Sequence, residues 1–130
     1  MNQQEIEVIL ARQLADYLAL PIFLVDQEGN LLFYNEPAEK ILGRRYEETG
    51  PMPAHEWATV FQPTDEDGRP LPEEQLPLII ALREGHPAHS GFWIRGLDGV
   101  LRQIEVVAFP LIGQADRHLG AVAIFWQGPA

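Results

Sequence analysis

The chain has 130 residues, 46% of them hydrophobic and 22% charged, and no cysteine. That length suits one domain with its own core, and the absence of thiols excludes disulfides, thiol catalysis, iron–sulfur clusters and cysteine-ligated zinc. A formal charge of −10, with nine basic residues scattered along the chain, argues against direct nucleic-acid contact, which needs Lys and Arg clusters to release counterions.

No apolar run nears the ~20 residues of a membrane helix. The N-terminus opens Met1-Asn2-Gln3-Gln4-Glu5, without a basic signal region. A cytoplasmic protein with no membrane partner is the expectation.

In chain order, Ile6, Ile9, Leu10, Gln13, Leu14, Tyr17 and Leu18 recur at near-heptad spacing, with Gln4, Glu5, Glu7, Arg12 and Asp16 opposite. This pattern predicts an amphipathic helix over residues 3–19 that ends before Pro21. Ile22-Phe23-Leu24-Val25 and Leu31-Leu32-Phe33-Tyr34 read as strands of a hairpin around Gln27-Glu28-Gly29-Asn30. Asn35 caps a short helix through Leu42, with Pro37 near its start and Gly43 as its stop.

Short helices are predicted around Glu47-Glu48 and from Ala54 to Phe61, separated by Gly50-Pro51-Met52-Pro53. After a polar loop over Pro63 to Pro70, one longer helix is predicted from Pro72 to a stop at Gly85, with proline and acids in its first turns. Three strands follow: Gly91 to Arg95, Leu101 to Pro110 and Leu119 to Trp126. Leu97-Asp98-Gly99 and the segment from Gly113 to His118 join them, Asp-Gly being a strong hairpin signal.

The order implies an α+β domain: a five-stranded antiparallel sheet with the central helices on one face. The first helix lies on the other face or on a neighbouring subunit. Strand parity orients the sheet. Gln103 and Glu105 share one face of their strand, so Ile104, Val106 and Ala108 share the other, the one turned to the helices.

The ordered motifs resemble the PAS domain family. The resemblance begins with the hairpin from Ile22 to Tyr34 and its closing Asn35, and continues with Ala38, Ile41-Leu42 and Gly43. Phe61, Pro63, Asp65, Asp67-Gly68, Glu73-Glu74, Leu76-Pro77 and Gly85 follow, then Asp98-Gly99, Pro110-Leu111 and Gly120-Ala121-Val122. It covers roughly residues 16–127 and implies a PAS-like sensor domain over 20–127, preceded by a dimerising or sheet-capping helix over 1–19. Gln127-Gly128-Pro129 stands where many members carry an Asp-Ile-Thr-like triplet leading to an effector. The chain is therefore expected to be a stand-alone sensor or part of something larger.

The resemblance implies that Phe92, Ile94, Ala121, Ala123 and Phe125 join Ile104 and Val106 on the inner face. Across from them it places Trp57, Val60, Phe61, Leu76, Ile79, Ile80 and Leu82. The gap between these sets is where relatives hold haem, flavin, a metabolite or only side chains. A filled core and a small-ligand cavity both remain open.

Covalent flavin photochemistry needs a cysteine, and the light-sensing branch uses a glutamine where Phe125 stands. Haem-binding relatives place their axial histidine on the long central helix, yet Glu73 to Glu84 contains none, and His86 and His89 lie beyond it. No pair among these and His55 and His118 has zinc-motif spacing, so no metal is expected.

By parity Trp93 and Trp126 fall on the outer face with Val107, Phe109, Val122 and Ile124. So apolar a surface calls for a cover, and Ile6, Leu10, Leu14, Tyr17 and Leu18 offer a matching stripe. A homodimer through this stripe and the two tryptophans is expected, the alternative being capping of the chain's own sheet. Asp65, Glu66, Asp67, Glu73 and Glu74 lack EF-hand spacing and read as solvated acids. No nucleophile, base and orienter assemble, so no enzyme activity is expected. The expected function is sensing a small ligand or a partner and relaying it through a dimer. A ligand-free interaction module is the main rival, and a small cavity enzyme is a further one.

Overall fold

The computed structural model describes Ile9, Leu10, Gln13, Leu14, Tyr17 and residues 19–128. Those five N-terminal residues are helical, while Ile6 and Leu18 of the expected stripe lie outside the described residues. Two strands follow, β1 (Ile22–Asp26) and β2 (Leu31–Tyr34), then helices α1 (Glu36–Leu42), α2 (Tyr46–Thr49) and α3 (Ala54–Val60). A 3₁₀ turn (Glu73–Gln75) leads to α4 (Pro77–Glu84), then to β3 (Ala88–Arg95), β4 (Leu101–Ile112) and β5 (His118–Gln127).

The strands form one sheet in the order β2-β1-β5-β4-β3, with every neighbouring pair antiparallel. This is the expected α+β architecture. The helices cover one face, α4 packing on β3, β4 and β5. Ile104, Val106 and Ala108 are buried there, while Gln103 and Glu105 stay half-exposed on the other face. The outer face carries its own cluster, in which Ile22, Leu24 and Val122 are buried among Leu32, Phe33, Phe109, Leu111, Leu119 and Ile124.

The structure corrects two features of the sequence reading. The helix expected from Pro72 is broken: Leu76 is extended, at φ −73° and ψ 134°, between the 3₁₀ turn and α4. The ring of Pro77 disfavours helical geometry at the residue before it, and Pro77 then opens a new helix. The last three strands also run further than expected, β3 beginning at Ala88 rather than Gly91. Ala88, His89 and Ser90 are weak strand formers, but pairing with Ala108, Val107 and Val106 of β4 holds them in the sheet. Strand β4 continues through Pro110, whose missing N–H falls on the β3 side beyond the end of that strand.

Polar joints fix the layers. Asn35 Oδ1 accepts from the Ala38 amide (3.2 Å) as the cap of α1 and from the Ile22 amide (2.9 Å). Its Nδ2 donates to Leu20 O at 2.9 Å, tying the N-terminal segment to the first hairpin. At the other end of α1, Arg102 Nη1 donates to Ile41 O and Nη2 to Asp98 Oδ2, both at 2.8 Å. Arg102, aided by the Val100 amide, holds the Asp98 carboxyl down to about 2. The Leu97 amide donates to Leu42 O at 2.8 Å, and this close approach requires glycine at position 43, where φ is +82° and a Cβ would lie 2.6 Å from Asp98 N.

Candidate functional site

Between the inner sheet face and the helices lies a cavity of about 80 Å³. Its floor is Phe23 of β1, Phe92 and Ile94 of β3, Ile104 and Val106 of β4, and Ala123 and Phe125 of β5; its roof is Leu42, Trp57, Ala58, Phe61, Pro63, Leu76, Pro77 and Leu78. Every described lining residue is apolar. Ala58 and Phe92 alone among them are half-exposed, the others being buried.

The register of the sheet makes the space. Ala123 sits opposite Phe23 on one side and Ala108 on the other, and Ala108 in turn faces Ala88. A row of alanines thus crosses the strands on which α4 packs. The roof is pinned by polar contacts outside the cavity. The Trp57 indole Nε1 donates to Gly29 O at 2.8 Å, and its ring meets Phe23 edge-on at 5.3 Å. The Arg95 amide donates to Phe61 O, and Thr64 exchanges backbone bonds with Trp93. Behind Phe23, Tyr34 stacks in parallel at 6.0 Å, its hydroxyl donating to Arg44 O at 2.8 Å. Burial pushes that hydroxyl's pKa up.

Of the residues expected to line the gap, Trp57, Phe61, Leu76, Phe92, Ile94, Ile104, Val106, Ala123 and Phe125 do so, and Val60, Ile79, Ile80, Leu82 and Ala121 do not. Leu76, Ile79 and Ile80 share a face only if they belong to one continuous helix. The extended Leu76 resets the phase, so Leu76, Pro77 and Leu78 meet the cavity, while Ile79 packs into the core at 1% exposure and Ile80 is half-buried. Helix α3 presents Trp57 and Ala58, and Phe61 follows as its C-cap, leaving Val60 at the side. Phe23 was not foreseen because the run Ile22-Phe23-Leu24-Val25 is apolar throughout and hides its parity; only pairing with Ala123 shows which face it takes.

The described residues of the expected dimer stripe stand in solvent. Leu10 is 56% exposed, Leu14 59% and Tyr17 87%. Trp126 is also exposed and Trp93 half-buried. Among the described residues, no three His, Asp or Glu side chains converge as metal ligands, and no helix is long and apolar enough to cross a membrane.

A family profile described as PAS domain matches residues 10–78. No curated protein sequence matches the chain. Among solved structures, the chain is similar to the PAS domain of a protein from Colwellia psychrerythraea, with 18% identity, TM-score 0.66, and coverage of 93% of this chain and 96% of that one. It is also similar to the PAS domain of nitrogen regulation protein NR(II) from Vibrio parahaemolyticus, with 15% identity, TM-score 0.65, and coverage of 92% and 98%. A LOV protein from Rhodobacter sphaeroides matches with 16% identity, TM-score 0.74, and coverage of 96% and 69%. The profile ends at the start of α4, whereas the structural likeness extends over the later strands.

Proposed function

The chain belongs to the PAS domain family, whose fold is typical of sensory signalling, and from that premise we propose that it senses a small, neutral, apolar molecule and relays the event through a homodimer. The cavity carries the proposal: about 80 Å³, lined only by apolar side chains. A space with that lining favours apolar occupants. A charged or strongly polar ligand would lose its hydration there without gaining a partner.

The same lining speaks against the larger cofactors. Its described residues include no histidine to ligate haem iron, and their one side-chain donor, Trp57 Nε1, already donates to Gly29 O rather than being free for the edge of a flavin ring. Its volume is far below the ~300 Å³ at which pockets for drug-sized ligands begin. No side chain facing the space can transfer a proton, which favours a binding role over catalysis.

Relay by population shift requires that the occupant bind two arrangements of the domain unequally. The exposed stripe Leu10, Leu14 and Tyr17 supports an output surface shared between two chains. A ligand-free interaction module is the second reading, supported by the small volume itself. Native mass spectrometry of freshly purified protein, compared with its denatured mass, separates the two. Extra mass in the native spectrum alone supports the sensor. Unliganded dimers, with no uptake of xenon under pressure, overturn it in favour of the interaction module.

A further inference from the structure

Strand β3 is an outer strand of the sheet, and the described residues cover only half of its free edge. Its outward backbone groups alternate along the strand. Trp93 exchanges bonds with Thr64, at 2.9 and 2.8 Å, and the Arg95 amide donates to Phe61 O at 2.8 Å. The same parity turns the amides and carbonyls of His89 and Gly91 outward. Among the described residues no backbone group meets them there, and the Gly91 carbonyl receives a long contact from Ser90 Oγ, at 3.4 Å. Both residues are exposed.

Folded sheets usually block such an edge with a lysine, a proline, a bulge or a covering loop. Here the loop from Pro63 to Pro70 covers the second half of β3, and Pro87 stands before the strand begins. Between them the described residues leave the edge open. Beside it runs a groove lined by Asp65, Glu66, Glu105 and Trp93, with no Lys or Arg in its lining. Gly91 contributes to that charge: a Cβ there would collide with Glu105 Oε2, so the glycine lets the Glu105 carboxylate lie across β3 towards the edge. The exposed His89 ring lies beside that carboxylate, with Nε2 3.6 Å from Oε1.

We propose that this edge is a docking site for an extended basic segment of a partner protein, which adds a strand beside His89 and Gly91. Main-chain bonds to the edge supply affinity, as in other strand additions. Lys or Arg side chains of the segment meet Glu105, Asp65 and Glu66, with the Trp93 ring as a cation-binding wall. A second copy of this chain fits less well, because its β3 edge brings the same carboxylates and like charges repel across an interface. The site lies on the rim of the sheet, shares only Phe92 with the described cavity lining, and stands whether or not the cavity binds anything.

The test is a titration of the full chain with a capped hexapeptide of alternating lysine and valine, followed by amide chemical shifts. The His89 and Gly91 amides move together on binding. Alternate-residue N-methylation removes the peptide's edge donors and weakens binding by about tenfold, and so does replacing its lysines with glutamates. Glu105→Gln weakens the lysine peptide several-fold. His89→Pro removes one outward donor from an edge position where proline is tolerated and weakens it likewise. The N-methylated peptide leaves the protein untouched should that variant not fold. Equal binding of the methylated peptide, shifts confined to other surfaces, or no binding at millimolar peptide each overturn the proposal. Concentration-dependent movement of the His89 and Gly91 amides without peptide also overturns it, by giving the edge to a second copy.

Discussion

Filling the cavity is the sharpest test of the sensing site. Ala123 sits on its floor, buried, between Phe23 and Ala108, so Ala123→Leu projects three more carbons into the empty space. At ~24 cal/mol per Å³, a void of about 80 Å³ costs the folded state about 2 kcal/mol. Ordering the new leucine side chain takes back roughly 0.5–1 kcal/mol, leaving a gain of about 1 kcal/mol. For a domain of this size that is a rise in Tm of roughly 3–5 °C. Urea and thermal unfolding read the gain.

Xenon reads the mechanism. An engineered apolar cavity of roughly twice this volume takes up benzene or xenon. Xenon under pressure should therefore raise the Tm of the parent protein and leave Ala123→Leu unmoved. The void's cost also bounds the signal, since an occupant that relieves all ~2 kcal/mol shifts a two-state equilibrium by about 30-fold at most. Destabilisation of Ala123→Leu by more than about 2 kcal/mol, with xenon uptake retained, would refute the reasoning, because it would mean that the space over Ala123 is filled in solution.

Three further outcomes follow from named contacts. Leu14→Glu, which places a charge in the middle of the exposed stripe, is expected to halve the mass measured by light scattering; the parent mass in the mutant rejects the helical interface. Asn35→Ala strips partners from the Ile22 and Ala38 amides and from Leu20 O. It should cost about 2–4 kcal/mol, a lost cap plus orphaned buried groups, and a loss of under ~0.5 kcal/mol in urea unfolding free energy would count against the joint.

The Asp98–Arg102 clasp predicts a pH dependence whose sign is fixed. The Asp98 carboxyl titrates at about 2 when folded against its ordinary 3.8. Its stabilisation is therefore complete above 3.8 and lost as pH falls towards 2. Asp98→Asn is expected to be less stable than the parent at neutral pH and to converge with it near the acid end. Parallel stability curves over that range reject the ion pair as the cause.

How far the sequence reaches shows best on single residues. Asn35 announces its cap through its neighbours Pro37 and Glu39, because capping depends on the few residues around it. Ile104, Val106 and Ala108 announce their face because Gln103 and Glu105 lie between them and polar residues avoid the core. Element order, the antiparallel sheet and the inner set of β4 were legible for the same reason: each is encoded locally, by period, punctuation and polarity.

The cavity was only partly legible. Leu76, Phe92 and Phe125 were found from parity and resemblance. Ile79 and Ile80 were misplaced because one proline changed the phase of everything after it, and a break of that kind displaces side chains by a face rather than by a residue. Phe23 and Ala123 meet only because β5, far along the chain, inserts between β1 and β4. The empty space above Ala123 is a remainder, set by how closely α3, α4 and five strands approach one another. The open edge at His89 and Gly91 is likewise decided by which strand ends up outermost and where the loop from Pro63 stops. By itself the sequence determined which residues seek the interior and in what order the elements come. Tertiary structure alone decided what those elements leave unfilled and unpaired, because volume and edge pairing belong to the assembled layers and not to any one segment.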